Sequence, residues 1–184
     1  MVSLPARLEE RLKKLLPKAR DRQQFVNDVV TRAIEEIETK GGNGLPEAVG
    51  GTLHLFTDGG SRGNPGQAAI GCVLLDPLTG KILKEHREAI GIQTNNVAEY
   101  RALIAGLMLA EKFHPNRLVC HLDSELIVKQ LSGAYRVKMP TLQPLIEEIR
   151  ELATQFGEVS YAHIPRAENK RADRLVNEAL DGIR

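Results

Sequence analysis

The chain has 184 residues, 42% of them hydrophobic, with 25 basic against 24 acidic side chains. This is the make-up of a folded protein with a core of ordinary size, and its net charge singles out neither a polyanionic nor a polycationic partner. No apolar run approaches the roughly 18 residues needed to span a membrane, and the N-terminus lacks the basic, apolar and small-residue succession of a signal peptide. A cytoplasmic location without a membrane partner is therefore expected.

Residues 1–40 read as two helices. Leu8, Leu12, Leu15 and Leu16 follow Pro5 at helical spacing, and Phe25, Val26, Val29, Val30, Ala33, Ile34 and Ile37 form a broader apolar stripe. Asp21 with Gln24 three residues on has the form of a capping box. Two such helices bury little alone, so they are expected to pack on the main domain or on a second copy as a homodimer. Residues 1–22 carry seven Lys/Arg against three Asp/Glu, a solvated face or a contact for a phosphate backbone. The order Met1-Val2-Ser3-Leu4, leucine-repeat helix, break and second apolar helix resembles the ribbon-helix-helix modules, which are dimeric and bind DNA. A helical hairpin that docks without reading DNA is the alternative. Residues 41–51 hold five glycines and Pro46, a flexible linker and a domain boundary.

From residue 52 the pattern is strand, strand, strand, helix, strand, helix, helix, strand, helix. The first strand, 53–57, is nearly continuous apolar sequence and is expected to be buried on both faces. Asp58 ends it and opens an eight-residue, glycine-rich loop to Gly66. Strands at 68–75 and 81–90 follow, joined by the turn Asp76-Pro77-Leu78-Thr79-Gly80. A long buried helix covers 95–112. A short strand, 118–122, ends at Asp123, and helices follow at Ser124–Ser132 and Thr141–Phe156. A last strand, 158–164, precedes a helix from Asn169 to about Asp181. Cys72 and Cys120 lie in the strands without metal-ligand spacing, as free buried thiols do. Three antiparallel strands followed by alternating helices and strands imply an α/β fold with a mixed sheet.

Four acids stand at the edges of these elements: Asp58 and Asp123 at the ends of apolar strands, Glu99 one turn into the long helix, and Asp173 early in the last one. If the strands ending at Asp58 and Asp123 are parallel neighbours, the two carboxylates stand side by side, where ligands gather in open α/β sheets. Like charges so close repel unless divalent cations lie between them. A set of oxygen donors without His or Cys suits Mg²⁺ or Mn²⁺ rather than zinc. Two such ions can position a water for in-line attack, and phosphodiester hydrolysis is the matching chemistry.

The blocks Asp58-Gly59-Gly60-Ser61-Arg62-Gly63-Asn64-Pro65-Gly66, Thr94-Asn95-Asn96-x-x-Glu99, Leu122-Asp123-Ser124 and Asn169-x-x-x-Asp173 resemble, in order and spacing, the signature blocks of type 1 ribonuclease H. The resemblance covers residues 52–184. It implies a five-stranded mixed sheet flanked by helices and a two-metal endonuclease that cuts the RNA strand of RNA–DNA hybrids, with double-stranded RNA as an alternative substrate. By it, Asp58, Glu99, Asp123 and Asp173 are the metal-binding catalytic carboxylates. Gly60, Ser61, Asn64 and Asn95 would sense RNA 2′-hydroxyls, and Thr94 and Asn96 would hold a phosphate of the DNA strand.

The sequence also departs from the family pattern. The segment Gly133–Lys138 is brief where many members carry a basic protrusion with tryptophans, and the chain has no Trp. Substrate affinity would then come from Lys138, Arg136 or the N-terminal segment. Glu125 replaces a glutamine at a substrate-contact position. In place of the family's mobile histidine, Arg166 is the expected functional substitute and His163 a strand residue, as in the archaeal-type branch. Two other readings stand beside this one: a dimeric nucleic-acid-binding protein that uses a nuclease fold for targeting, and another activity on the same fold.

Overall fold

The computed structural model describes residues 51–137 and 139–182, with Lys13, Lys14, Lys18, Arg20, Arg22, Val26 and Asn27 of the N-terminal segment. The two expected helices as a whole, the ribbon-helix-helix resemblance, the homodimer, the linker up to residue 50 and Lys138 lie outside the described residues. The chain divides into two units, Met1–Leu45 and Pro46–Arg184, and every element below belongs to the second. Among the described residues, no helix is long and apolar enough to cross a membrane.

Five strands, β1 (Thr52–Gly63), β2 (Gly66–Leu75), β3 (Ile82–Gln93), β4 (Arg117–Leu122) and β5 (Glu158–His163), form one sheet in the order β3-β2-β1-β4-β5. The first three are antiparallel, while β4 runs parallel to both β1 and β5. Four helices complete the domain: α1 (Asn95–Glu111), α2 (Glu125–Leu131), α3 (Gln143–Ala153) and α4 (Lys170–Asp181). The third begins later than the sequence suggests, because Pro140–Leu142 forms a separate 3-10 turn before it.

The glycine-rich segment differs from expectation. Asp58 does not open a loop: β1 runs on to Gly63, with Asp58 opposite Gly71, Gly60 opposite Ala69 and Gly63 opposite Gly66. The turn is only Asn64-Pro65. The parallel ladder with β4 ends at Phe56–His121, so from Thr57 onward β1 has no strand neighbour on that side. Nor is β1 buried on both faces. Leu53, Leu55, Thr57 and Gly59 are buried, while His54, Phe56, Asp58 and Gly60 between them are half-buried, as the two-residue period of a strand dictates.

On the buried face, α1 and α3 cover Leu53, Leu55, Leu118 and Cys120, which form one apolar core with Leu103, Leu107 and Ile149. The helix α1 begins at Thr94, whose Oγ1 accepts a hydrogen bond from the Val97 amide at 3.4 Å. Cys72 and Cys120 are free and buried. On the other face, α4 packs Val176 and Leu180 on Ala69. Lower on that face His121 stacks on Phe56 with ring centroids 4.4 Å apart, and its Nε2 lies 3.1 Å from Nδ1 of His54.

Candidate active site

The four acids come from four elements. Asp58 lies in the central strand, Asp123 directly follows β4, Glu99 is one turn into α1, and Asp173 is in the first turn of α4. Continuing the Phe56–His121 register by two residues brings Asp58 level with Asp123. Glycines let the helices close in. A Cβ on Gly59 would stand 2.2 Å from the Ala98 carbonyl carbon and 2.4 Å from the Glu99 nitrogen, so α1 rests directly on β1 there. Opposite Asp58, a Cβ on Gly71 would stand 2.4 Å from the Ala172 carbonyl oxygen. Only glycine permits either approach. Because successive residues of a strand face opposite ways, Glu99 arrives from one side of the sheet and Asp173 from the other.

The result is a cleft of about 430 Å³ lined by all four acids and by Gly60, Ser61, Arg62, Asn95, Ser124, Arg166 and Asn177. Burial, and then the charges of Asp123 and Asp173, push the Asp58 carboxyl up to about 6. Burial also raises Glu99 to about 7, helped by the charges of Asp123 and Asp58 and opposed by hydrogen bonds from Ser124 and Asn95. Asn95 donates from Nδ2 to Glu99 Oε1 at 3.0 Å, and its backbone amide donates to Asn64 Oδ1 at 3.2 Å. A relay thus runs from the hairpin tip to the acid. Asp173 accepts from Arg166 at 2.7 Å and from Asn177 Nδ2 at 3.2 Å.

A family profile described as reverse transcriptase-like matches residues 56–179. The ribonuclease HI of Halobacterium salinarum is 48% identical over 132 residues, 72% of this chain and 66% of the relative. The solved RNase H1 of that archaeon overlays with a TM-score of 0.69, covering 71% of this chain and 98% of the other. The chain belongs to the reverse transcriptase-like family of ribonuclease H domains. A bifunctional protein of Mycobacterium tuberculosis is likewise 48% identical over 127 residues, 69% of this chain. The chain spans only 35% of that relative's length. LC11-RNase H1, isolated from compost and solved in complex with an RNA/DNA hybrid, is 45% identical with a TM-score of 0.65, over 70% of this chain and 96% of its own.

Within this ribonuclease H domain, the cleft gathers Asp58, Glu99, Asp123, Asp173, Arg166, Gly60, Ser61 and Asn95. It does not gather the others. Asn64 reaches it only through Asn95, and Thr94 is the cap of α1. Asn96 lines a separate groove of about 230 Å³ with Tyr100, Leu126, Gln130, Arg136 and Met139. Glu125 is exposed and paired with Lys129 at 2.8 Å. His163 ends β5 on the surface.

Three contributors had no role in the sequence reading, although Ser124 and Asn169 stand in its signature blocks. Ser124 and Asn177 touch the acids, and Asn169, almost wholly buried, ties the helix carrying Asp173 to β1. Asn177 had a signal in its i, i+4 spacing from Asp173.

The donors are all oxygens, and two are raised by burial and then by the neighbouring carboxylates, which is the chemistry that Mg²⁺ or Mn²⁺ satisfies. Among the described residues, however, no three acidic, His or Cys side chains are grouped so as to hold an ion as they stand. Glu99 is turned onto Asn95, and Asp173 onto Arg166 and Asn177. Cation binding would draw these carboxylates off their present partners.

Proposed function

We propose that the protein is a divalent-metal-dependent endoribonuclease that hydrolyses the RNA strand of RNA–DNA hybrids, with residues 52–184 carrying the activity. The observation that supports this most directly is the meeting of Asp58, Glu99, Asp123 and Asp173 in one cleft with a side-chain-free rim at Gly59 and Gly60. Those four carboxylates would hold two ions, which when bound would supply an activated water and neutralise charge on the phosphate.

The remaining residues orient the substrate. Gly60 lets a nucleic-acid backbone come close. Asn95 spends its amide nitrogen on Glu99, which leaves its Oδ1 to accept from a 2′-hydroxyl, the group that distinguishes RNA from DNA. The Ser61 hydroxyl is directed to the carbonyls of Gly63 and Gln93 at 2.5 and 2.9 Å, so its free capacity is also that of an acceptor. Asn64 acts by fixing Asn95. Asn96 and Arg136 line the groove that would take a DNA-strand phosphate, Thr94 caps the helix that carries Asn96, and Lys138 and Glu125 would add substrate contacts. Arg166 would leave Asp173 as the product phosphate departs.

The test is incubation of the protein with a labelled RNA–DNA hybrid, an RNA duplex and a DNA duplex, each with Mg²⁺, Mn²⁺ or EDTA. Cutting of the RNA strand of the hybrid, abolished by EDTA and by Asp58→Asn, is expected. Wild-type cutting by folded Asp58→Asn, or no cutting in either metal, overturns the reading. Cutting of the RNA duplex extends the substrate range.

A further inference from the structure

Asn169 precedes α4 and is only 1% exposed. Thr57 and Asn169 are the buried polar residues of the described chain, and they are bonded to each other. Asn169 Nδ2 donates to the Thr57 carbonyl at 2.9 Å. That carbonyl belongs to the peptide group joining Thr57 to Asp58, just past the point where β4 stops pairing with β1. The amide of Asn169 supplies a donor where the neighbouring strand no longer reaches.

The same residue governs the helix on the other side. Its carbonyl accepts from the Asp173 amide at 3.1 Å, closing the first turn of α4. One side chain and one carbonyl therefore tie the backbone of Asp58 to the backbone of Asp173. Oδ1 of Asn169 is buried with no partner among the described protein atoms, so the Nδ2 bond to the Thr57 carbonyl is the contact that fixes the side chain. A leucine of similar volume would keep the packing and lose the bond to the Thr57 carbonyl.

We infer that Asn169 is a positioning residue, which fixes the separation of Asp58 and Asp173 and thereby the site's readiness for a divalent cation. The inference rests on the ribonuclease reading only for its kinetic consequence. Residues that orient metal ligands in this way typically govern affinity and turnover about 10–100-fold.

The experiment compares full-length wild type with Asn169→Leu, which keeps volume and loses the donor. Mn²⁺ affinity is measured by calorimetry, kcat and KM on a hybrid substrate, and Tm by thermal melting. We expect Mn²⁺ binding and kcat to fall about 10–100-fold while KM stays within about twofold. If Asn169→Leu shows no cooperative melt, Asn169→Ala carries the same readouts. Mn²⁺ affinity and kcat within about twofold of wild type, whatever the change in Tm, overturn the inference and make Asn169 a fold residue. A wild type that binds Mn²⁺ but does not cleave defeats the ribonuclease reading alone, and the affinity comparison still decides for Asn169. A wild type without Mn²⁺ affinity defeats both.

Discussion

The carboxyls of Asp58 and Glu99 are held above their ordinary 3.8 and 4.5, at about 6 and about 7, chiefly by burial. The unfolded chain therefore ionises first, and stability declines as pH rises from about 4 through 7. Two outcomes follow. Asp58→Asn should raise Tm at pH 8 by about 2–4 °C, by less at pH 5 and hardly at all below pH 4, as read by melting in EDTA. Mg²⁺ should raise wild-type Tm more at pH 8 than at pH 5, and lose that effect in Asp58→Asn. The histidine pair works in the opposite sense. Burial, then the neighbouring His54, lowers His121 to about 4, so its contribution is complete above pH 6.5 and is lost as pH falls toward 4. His121→Phe, which keeps the stack on Phe56, should raise Tm at pH 5 relative to wild type and do less at pH 8. Asp58 and Asp123 were legible in sequence because each ends an apolar run, and Glu99 and Asp173 because they stand in blocks of the family pattern. The role of Asn169 was not, since an asparagine before a helix looks like any cap until its amide is seen to reach a strand 112 residues away.

Among the elements, the sheet-to-helix contacts at Gly59 and Gly71 fix where α1 and α4 stand. Gly71→Ala would drive a methyl into the Ala172 carbonyl, and an overpacked site of this kind costs about 1–3 kcal/mol. Lower Tm together with weaker Mn²⁺ binding is expected, measured by melting and calorimetry. Gly80→Ala is the control: its φ is +69° and nothing lies within 4 Å, so it should lower Tm through backbone strain of about 1–2 kcal/mol and leave Mn²⁺ binding alone. These glycines also explain the one element misread from sequence. A run of glycines after an aspartate has the composition of a loop, and nothing local says that a helix backbone will occupy the space the missing side chains leave. The mixed sheet was legible, because three antiparallel strands followed by alternating helices and strands leave few topologies. The early end of the β1–β4 ladder was not, because it depends on the length of a partner 60 residues further on.

For the molecule as a unit, the four acids lie at positions 58, 99, 123 and 173, on elements that meet only when the sheet and both of its faces are assembled. A partly folded chain with the β1–β2 hairpin and α1 in place would own two of the four and would hold a cation poorly. In kinetic language, an ion bound there would recognise the native state and not the barrier that leads to it. Mg²⁺ should therefore slow unfolding in stopped-flow jumps while leaving the refolding rate nearly unchanged. A site spread across the chain in this way would make a bound divalent cation a lock on the finished fold, and its withdrawal would shorten the lifetime of the native state without hindering its formation.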